Sequence, residues 1–325
     1  MGTEFDVIAA YFDLPSSRED VLLGVGDDGA VLRVPPGYVL VVSTDTLVAG
    51  VHFPQDTPAQ AIGHKALAVN LSDLAAMGAQ PAWVTLALTL PAADRAWISG
   101  FMQGFRGLLE QEGVALVGGD TTCGPLSITV QALGWVEPDK ALRRDAARPE
   151  ELIFVTGTLG DAAAGLHCWQ QGIQTPHSPA LIERLCYPTP RCALGTQLHA
   201  YEVRAAIDIS DGLCADLGHI LKASALGATL YLEHLPLSAA LQAHLHQHPV
   251  ALEQYPALNG GDDYELLFTA PAPAEKDLRR LCTALQIPLT CIGHTHTTPG
   301  CLLQTPDGRH ISLSRRGYEH FAPAC

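Results

Sequence analysis

The chain has 325 residues, enough for two domains of ordinary size, and 47% of them are apolar, enough for each domain to build a core. Its formal net charge of −15 argues against a nucleic-acid surface, which needs clustered Lys and Arg to neutralise phosphates. No run approaches the ~20 uninterrupted apolar residues of a membrane span, and the first residues lack the basic and apolar regions of a signal peptide. We therefore expect a soluble protein with no membrane or nucleic-acid partner. Nine scattered cysteines without a C-x-x-C pair suggest neither a disulfide framework nor a zinc site and fit a reducing cytoplasm. An acidic chain can still bind a small polyphosphate through divalent cations, because Mg2+ takes one or two carboxylates plus phosphate oxygens. The carboxylates are therefore the groups to follow.

In chain order, Phe5, Ile8, Ala9 and Phe12 form an apolar patch of helical spacing that ends near Pro15. Two short apolar runs then flank Gly26-Asp27-Asp28-Gly29. Asp-Gly favours a tight turn, whereas two adjacent acids repel and a cation would relieve them; both readings stand. Residues 38–46 are an apolar, β-branched run that reads as a buried strand ending in Ser43-Thr44-Asp45, where open α/β sheets place ligands, with simple capping as the alternative. Pro58 opens a helix over residues 59–77, stopped by Gly78, with Asn70 and Asp73 on one face. If that face is buried, Asp73 needs a cation; if exposed, it is a surface acid. Residues 83–90 read as a strand, and residues 94–112 as a core helix with Trp97, Ile98, Phe101, Met102, Phe105, Leu108 and Leu109 at helical period. A strand over 114–117 runs into Gly118-Gly119-Asp120-Thr121-Thr122, whose glycines would let a ligand approach the backbone, and residues 126–136 return as a strand.

These elements define an N-terminal α/β domain, residues 1–140, and the remainder, residues 141–325, a second one. Residues 138–151 read as a linker carrying Arg143, Arg144 and Arg148, one of which could reach a phosphate. A strand over 152–156 meets a glycine turn before a helix; no G-x-x-x-x-G-K-[ST] occurs. Asp208, Ser210 and Asp211 repeat the carboxylate-and-hydroxyl chemistry before a helix over about 213–224, and one N-cap explains one such residue, not three. Asn259-Gly260-Gly261-Asp262-Asp263-Tyr264-Glu265 precedes a strand over 266–269, and its glycines followed by three acids suggest a loop beside a ligand, with a simple turn as the alternative. Gly317-Tyr318 could dock the tail or cover a ring-shaped substrate, and docking is the expectation. His244, His246 and His248 alternate at a polar helix end, where such residues diverge, so no metal is expected there.

Acids at the ends of five apolar elements suggest convergence on a hard oxygen site suited to Mg2+, and hence metal-assisted phosphoryl transfer. The segments Gly26-Asp27-Asp28, Ser43-Thr44-Asp45-Thr46-Leu47-Val48, Asn70-Leu71-Ser72-Asp73-Leu74-Ala75-Ala76-Met77-Gly78, Gly118-Gly119-Asp120-Thr121-Thr122, Asp208-Ile209-Ser210-Asp211-Gly212 and Gly317-Tyr318 together resemble the thiamine-monophosphate kinases, in consistent order from Phe5 to Phe321. The resemblance implies an α/β (α+β), two-domain fold like that of aminoimidazole ribonucleotide synthetase, with mixed sheets and helices. In that fold the N-terminal domain carries the dimer interface and the C-terminal domain completes the active site. It implies a cytoplasmic homodimer that makes thiamine diphosphate from thiamine monophosphate and ATP with several Mg2+ ions, the last step of that synthesis.

By position, the resemblance makes Asp28, Ser43, Thr44, Asp45, Asp73, Asp120, Asp208 and Asp211 the Mg2+ ligands, with Asp45 and Asp211 central to catalysis. Gly119, Asp120, Arg144 and Ser210 would contact ATP; His52, Asp262 and Tyr318 would contact thiamine monophosphate. The family's Gly-Gly-Glu-Asp reads Gly260-Gly261-Asp262-Asp263 here, so the substrate contact carries a shorter acid that water could extend. The alternatives are a sensor that binds nucleotide or thiamine phosphate without turnover, and a sister ATP-dependent enzyme such as the hydrogenase-maturation protein, for which the terminal Cys325 would be the reactive group.

Overall fold

The structure is a computed structural model that describes residues 8–14 and 18–313. Backbone contacts divide the chain into two units, Met1–Ala75 with Ala79–Lys140, and Ala76–Gly78 with Ala141–Cys325.

In the first unit, a π-helical turn (Ile8–Phe12) precedes an antiparallel hairpin, β1 (Val21–Leu23) and β2 (Val31–Leu32). Then follow β3 (Val39–Val48), α1 (Ala59–Ala76), β4 (Gln80–Leu90), α2 (Arg95–Glu112), β5 (Ala115–Cys123) and β6 (Ser127–Val136). The sheet order is β3-β6-β4-β5. Only β4 and β5 run parallel, and they are the pair joined by a helical crossover, as a parallel connection requires. Along β6, Ile128, Val130 and Ala132 are fully buried while Ser127, Thr129 and Gln131 between them are not, the period-two signature of a sheet with one face on the core. That face lies under α1. On the other face the hairpin packs Val21, Ala30 and Leu32 against Trp83, Leu133 and Trp135.

Helix α1 is buried almost all round, which is why its sequence shows little amphipathic contrast. Helix α2 instead has one apolar stripe, Ile98, Phe101, Phe105, Leu108 and Leu109, with Asp94 capping its start and Gly113 in the left-handed region at its end. The two helices touch backbone to backbone. A Cβ on Gly63 would stand 1.9 Å from the Phe101 carbonyl oxygen, and one on Gly104 would stand 1.9 Å from that of Gln60.

The second unit contains a seven-stranded sheet of order β13-β12-β9-β11-β7-β10-β8. Its strands are β7 (Leu152–Thr156), β8 (Ala205–Asp208), β9 (Gly227–Tyr231), β10 (Leu266–Ala270), β11 (Leu289–His296), β12 (Gly300–Gln304) and β13 (His310–Ser312). All pairs are antiparallel except β9 with β12. The helices are α3 (Asp161–Gln171), α4 (Ser178–Cys186), α5 (Cys192–Leu198), α6 (Leu213–Ala223), α7 (Ala239–Gln247), the single turn α8 (Pro256–Asn259) and α9 (Glu275–Ala284). Leu213, Leu217 and Ile220 of α6 close one core with Ile153, Ile207, Leu230 and Leu267. Phe154 and Phe268 stack 5.5 Å apart, each fully buried.

Two expected strand ends are not ends. Strand β3 continues past Asp45 to Val48 because it keeps pairing with β6 as far as Ser127, and β5 continues through Gly118–Thr122 to Cys123 on β4. Among the described residues, no helix is long and apolar enough to cross a membrane.

Candidate active site

In the first unit the site begins at the β3–α1 contact. Asn70, fully buried, donates its amide to the Ala66 carbonyl and accepts the Asp45 backbone N–H at 3.0 Å, so one side chain fastens strand to helix at the position that carries the acid. One turn further along α1, Asp73 accepts a short hydrogen bond from the Ser43 hydroxyl. Ser43 and Asp45 lie on the same face of β3, two residues apart, and Asp73 meets both. Burial pushes the Asp45 carboxyl up to about 7, and the charge of Asp73 beside it, to which it is hydrogen-bonded, adds to the shift.

The remaining candidates of this unit are placed differently. Asp120 pairs across β4 and β6 with Ala87, Thr129 and Thr46, the row next to Asp45 and therefore on the opposite face. Three strand spacings, on the order of 14 Å, separate β3 from β5. Thr44 also points to that opposite face and accepts a 3.4 Å hydrogen bond from Gln131. Gly119 and Asp120 are exposed, as are Asp27 and Asp28, which form a turn in which Asp27 accepts the Asp28 N–H at 2.8 Å. His52 is half-buried, and its Nδ1 accepts the Val48 N–H at 3.0 Å. The neutral ring is therefore the Nε2–H tautomer, a donor. Lys65, 3% exposed, holds the His52 carbonyl at 3.4 Å.

In the second unit, Asp208 is the last residue of β8 and is buried; Ser210 and Asp211 follow in the bend before α6. A residue that the sequence reading passed over organises this bend. One oxygen of Asp216 accepts the N–H groups of Ser210, Asp211 and Gly212, each at 3.1 Å. Burial, then the nearby Asp211 charge, raises the Asp216 carboxyl to about 7 despite those three donors. Its signal was an acid in the first turn of a helix after a glycine. Asp262 adopts a left-handed conformation, φ 69°, and accepts the Tyr264 hydroxyl at 3.2 Å. Glu265, one of the three acids expected in a loop beside a ligand, is instead buried between Arg191 and Arg184, at 2.5 and 2.9 Å. Arg144 is exposed, with its carbonyl accepting the Ser224 hydroxyl at 2.9 Å; neighbouring Arg143 is occupied by Asp145. Tyr318 and Cys325 lie outside the described residues.

Among the described residues, no three His, Cys, Asp or Glu side chains are grouped closely enough to hold a metal by themselves. The Asp45–Asp73 pair nevertheless suits Mg2+. It offers two hard carboxylates and a hydroxyl, and its mutual repulsion is what a cation would relieve.

This pairing of a helix-backed four-stranded sheet with a seven-stranded mixed sheet is that of an α/β protein of the AIR synthase-related class, as family patterns show. The family pattern "AIR synthase related protein, N-terminal domain" matches residues 26–136, and the corresponding C-terminal domain pattern matches residues 148–301. The thiamine-monophosphate kinase of Escherichia coli (strain K12) is 48% identical over 323 residues, 98% of each chain. A crystal structure of thiamine-monophosphate kinase from Stenotrophomonas maltophilia K279a superposes with TM-score 0.83 at 46% identity, covering 94% of this chain and 96% of that one. AaThiL complexed with AMPPCP and TMP superposes with TM-score 0.78 at 31% identity, covering 98% and 96%. The chain belongs to the thiamine-monophosphate kinase family. The hydrogenase maturation protein HypE, at 19% identity and TM-score 0.80, shares the fold alone.

Proposed function

We propose that this protein transfers the γ-phosphoryl group of ATP to thiamine monophosphate, giving thiamine diphosphate and ADP, by direct in-line displacement assisted by Mg2+. The observation that carries the reading is the Asp45–Asp73 carboxylate pair with Ser43 on it, a hard-oxygen cation site in a member of a kinase family. The nucleophile is an oxygen of the acceptor's own phosphate, a monoester whose second pKa near ~6 leaves it mostly a dianion at neutral pH. No side chain has to remove a proton. The new P–O bond forms as the bond from the γ-phosphorus to its bridging oxygen breaks, and ADP leaves.

The chain's work is therefore to position two polyanions that repel each other. Asp45, Asp73 and Ser43 would hold a cation, and Asp28, Thr44, Asp120, Asp208 and Asp211 are the further proposed ligands for additional ions. A divalent cation held by these side chains would supply positive charge against that of the two phosphate groups. Gly119, Asp120, Arg144 and Ser210 are the proposed nucleotide contacts; His52, through its Nε2–H, Asp262 and Tyr318 are the proposed substrate contacts. With ATP as co-substrate and free thiols throughout the described residues, we assign the protein to the cytoplasm.

The partner we assign is a second copy of the chain. The ten-residue edge strand β3 leaves Val39, Leu40 and Val42 46, 46 and 49% exposed, and Leu22, Leu23 and Val31 of the hairpin are also exposed. Long apolar edges are normally covered.

The test is incubation with ATP, Mg2+ and thiamine monophosphate and chromatography for thiamine diphosphate. Product that requires the monophosphate and vanishes with EDTA is expected; nucleotide binding without product would overturn the kinase reading. Label from the γ-phosphate found on protein in a single-turnover quench would overturn direct transfer.

A further inference from the structure

The loop of residues 259–265 carries one acid that the proposed chemistry uses, Asp262, and two that it does not, Asp263 and Glu265. Its backbone is locked to the Asp208–Gly212 segment beyond the end of the β8–β10 ladder. Ile209 N–H donates to the Glu265 carbonyl at 2.9 Å, Tyr264 N–H to Ile209 at 2.8 Å and Asp262 N–H to Ser210 at 2.9 Å. The approach is close enough that a Cβ on Gly261 would stand 2.3 Å from the Ser210 carbonyl oxygen. Within this lock Asp262 and Tyr264 both sit at positive φ, 69° and 49°, a conformation that costs non-glycine residues energy and persists only where the surroundings impose it. The residue between them is anchored to a different segment. Asp263, 2% exposed, accepts the Gly160 N–H at 2.7 Å with Oδ2, at the start of α3, and its Oδ1 has no hydrogen-bond partner. Arg184 reaches the Asp263 carbonyl at 3.4 Å and Glu265 at 2.9 Å.

We propose that Asp263 is a positioning residue: its buried hydrogen bond to Gly160 holds the loop in its left-handed course and thereby sets where the Asp262 carboxylate stands for the substrate. The proposal rests on the reading of Asp262 as a contact of thiamine monophosphate. Asp216 holds Ser210, Asp211 and Gly212 independently, so loosening Asp263 leaves the nucleotide side in place.

The experiment pairs Asp263→Asn, which keeps an oxygen for the Gly160 N–H, with Asp263→Ala and the volume-keeping Asp263→Leu, which do not. Removing the acceptor is expected to raise KM for thiamine monophosphate about ten- to a hundredfold, with KM for ATP nearly unchanged, the scale of a reacting group displaced by about an ångström. The Asp262 and Tyr264 amides are expected to lose hydrogen-exchange protection, and Asp263→Asn to restore both readouts. The double variant Asp262→Ala, Asp263→Ala is expected to match Asp262→Ala alone, since Asp263 acts through it. A raised KM with unchanged amide protection, additive losses in the double variant, or no effect of Asp263→Leu would overturn the proposal. If Asp263→Ala does not fold, the Leu and Asn pair decides. A wild-type chain that makes no thiamine diphosphate would sink the kinase reading, while the exchange measurement would still test the anchor.

Discussion

Asp45 and Asp73 are two acids held together by neighbours that cannot neutralise them, Ser43 through its hydroxyl and Asn70 through its amide. Asp45→Asn is expected to lower kcat about a hundred- to a thousandfold, the scale for losing one preorganised electrostatic contact, with product formation measured at saturating Mg2+. The same pair predicts a pH signature for the metal-free protein. The Asp45 and Asp216 carboxyls ionise near 7 in the folded chain against an ordinary 3.8. Between those values the folded chain keeps protons that the unfolded chain has released, so their contribution is fully present below about pH 4, falls as pH rises and levels off above about 7. Thermal midpoints in EDTA should therefore drop from pH 5 to pH 8 more in the wild type than in Asp45→Asn. Saturating Mg2+ should reduce the drop, because a cation favours the ionised pair.

At the scale of elements, Asp45 and Asp73 meet because α1 lies against β3, and α2 packs closely on α1 in turn. The reciprocal Gly63 and Gly104 contacts permit that approach, and Gly104→Ala is expected to destabilise the protein by about 1–3 kcal/mol or more in chemical denaturation, since the obstructing atom is backbone. Phe105, fully buried on α2 and stacked 5.7 Å from Phe101, should cost about 3–5 kcal/mol when changed to Ala. Much of this level was legible from sequence. The period-3.6 stripe of α2 and the apolar runs of β4, β6 and β7 named their own elements, because the burial of each follows from a single face or from its whole length. What was not legible was where β3 and β5 stop. Polar residues at 43–46 look like a strand's end and those at 118–122 like a loop, and only the pairing of β3 with β6, and of β5 with β4, carries the strands on through them.

For the whole molecule, the apolar β3 edge predicts a self-association that can be measured directly. Sedimentation should give two copies for the wild type and one for the double variant Leu40→Lys, Val42→Lys, with circular dichroism unchanged; a wild-type monomer would remove the second copy from the function proposed above. The family was written in the chain itself, since the order and spacing of Gly26-Asp27-Asp28, Ser43-Thr44-Asp45, Asn70 through Gly78 and Asp208 through Gly212 are local facts that need no fold to be read. Tertiary structure decided which acids meet. Asp45 and Asp73 are 28 positions apart and become one site through a strand–helix contact, whereas Asp120, carried by an equally suggestive segment, is turned to the other face of the sheet by strand register. It also decided which acids serve the site from behind. Asp216 and Asp263 look in sequence like a helix-start acid and half of a turn. Asp216 takes its N–H groups from the bend just before its own helix, whereas Asp263 takes its from Gly160, 103 positions away, and a period-two or period-3.6 pattern carries no record of such a long-range partner.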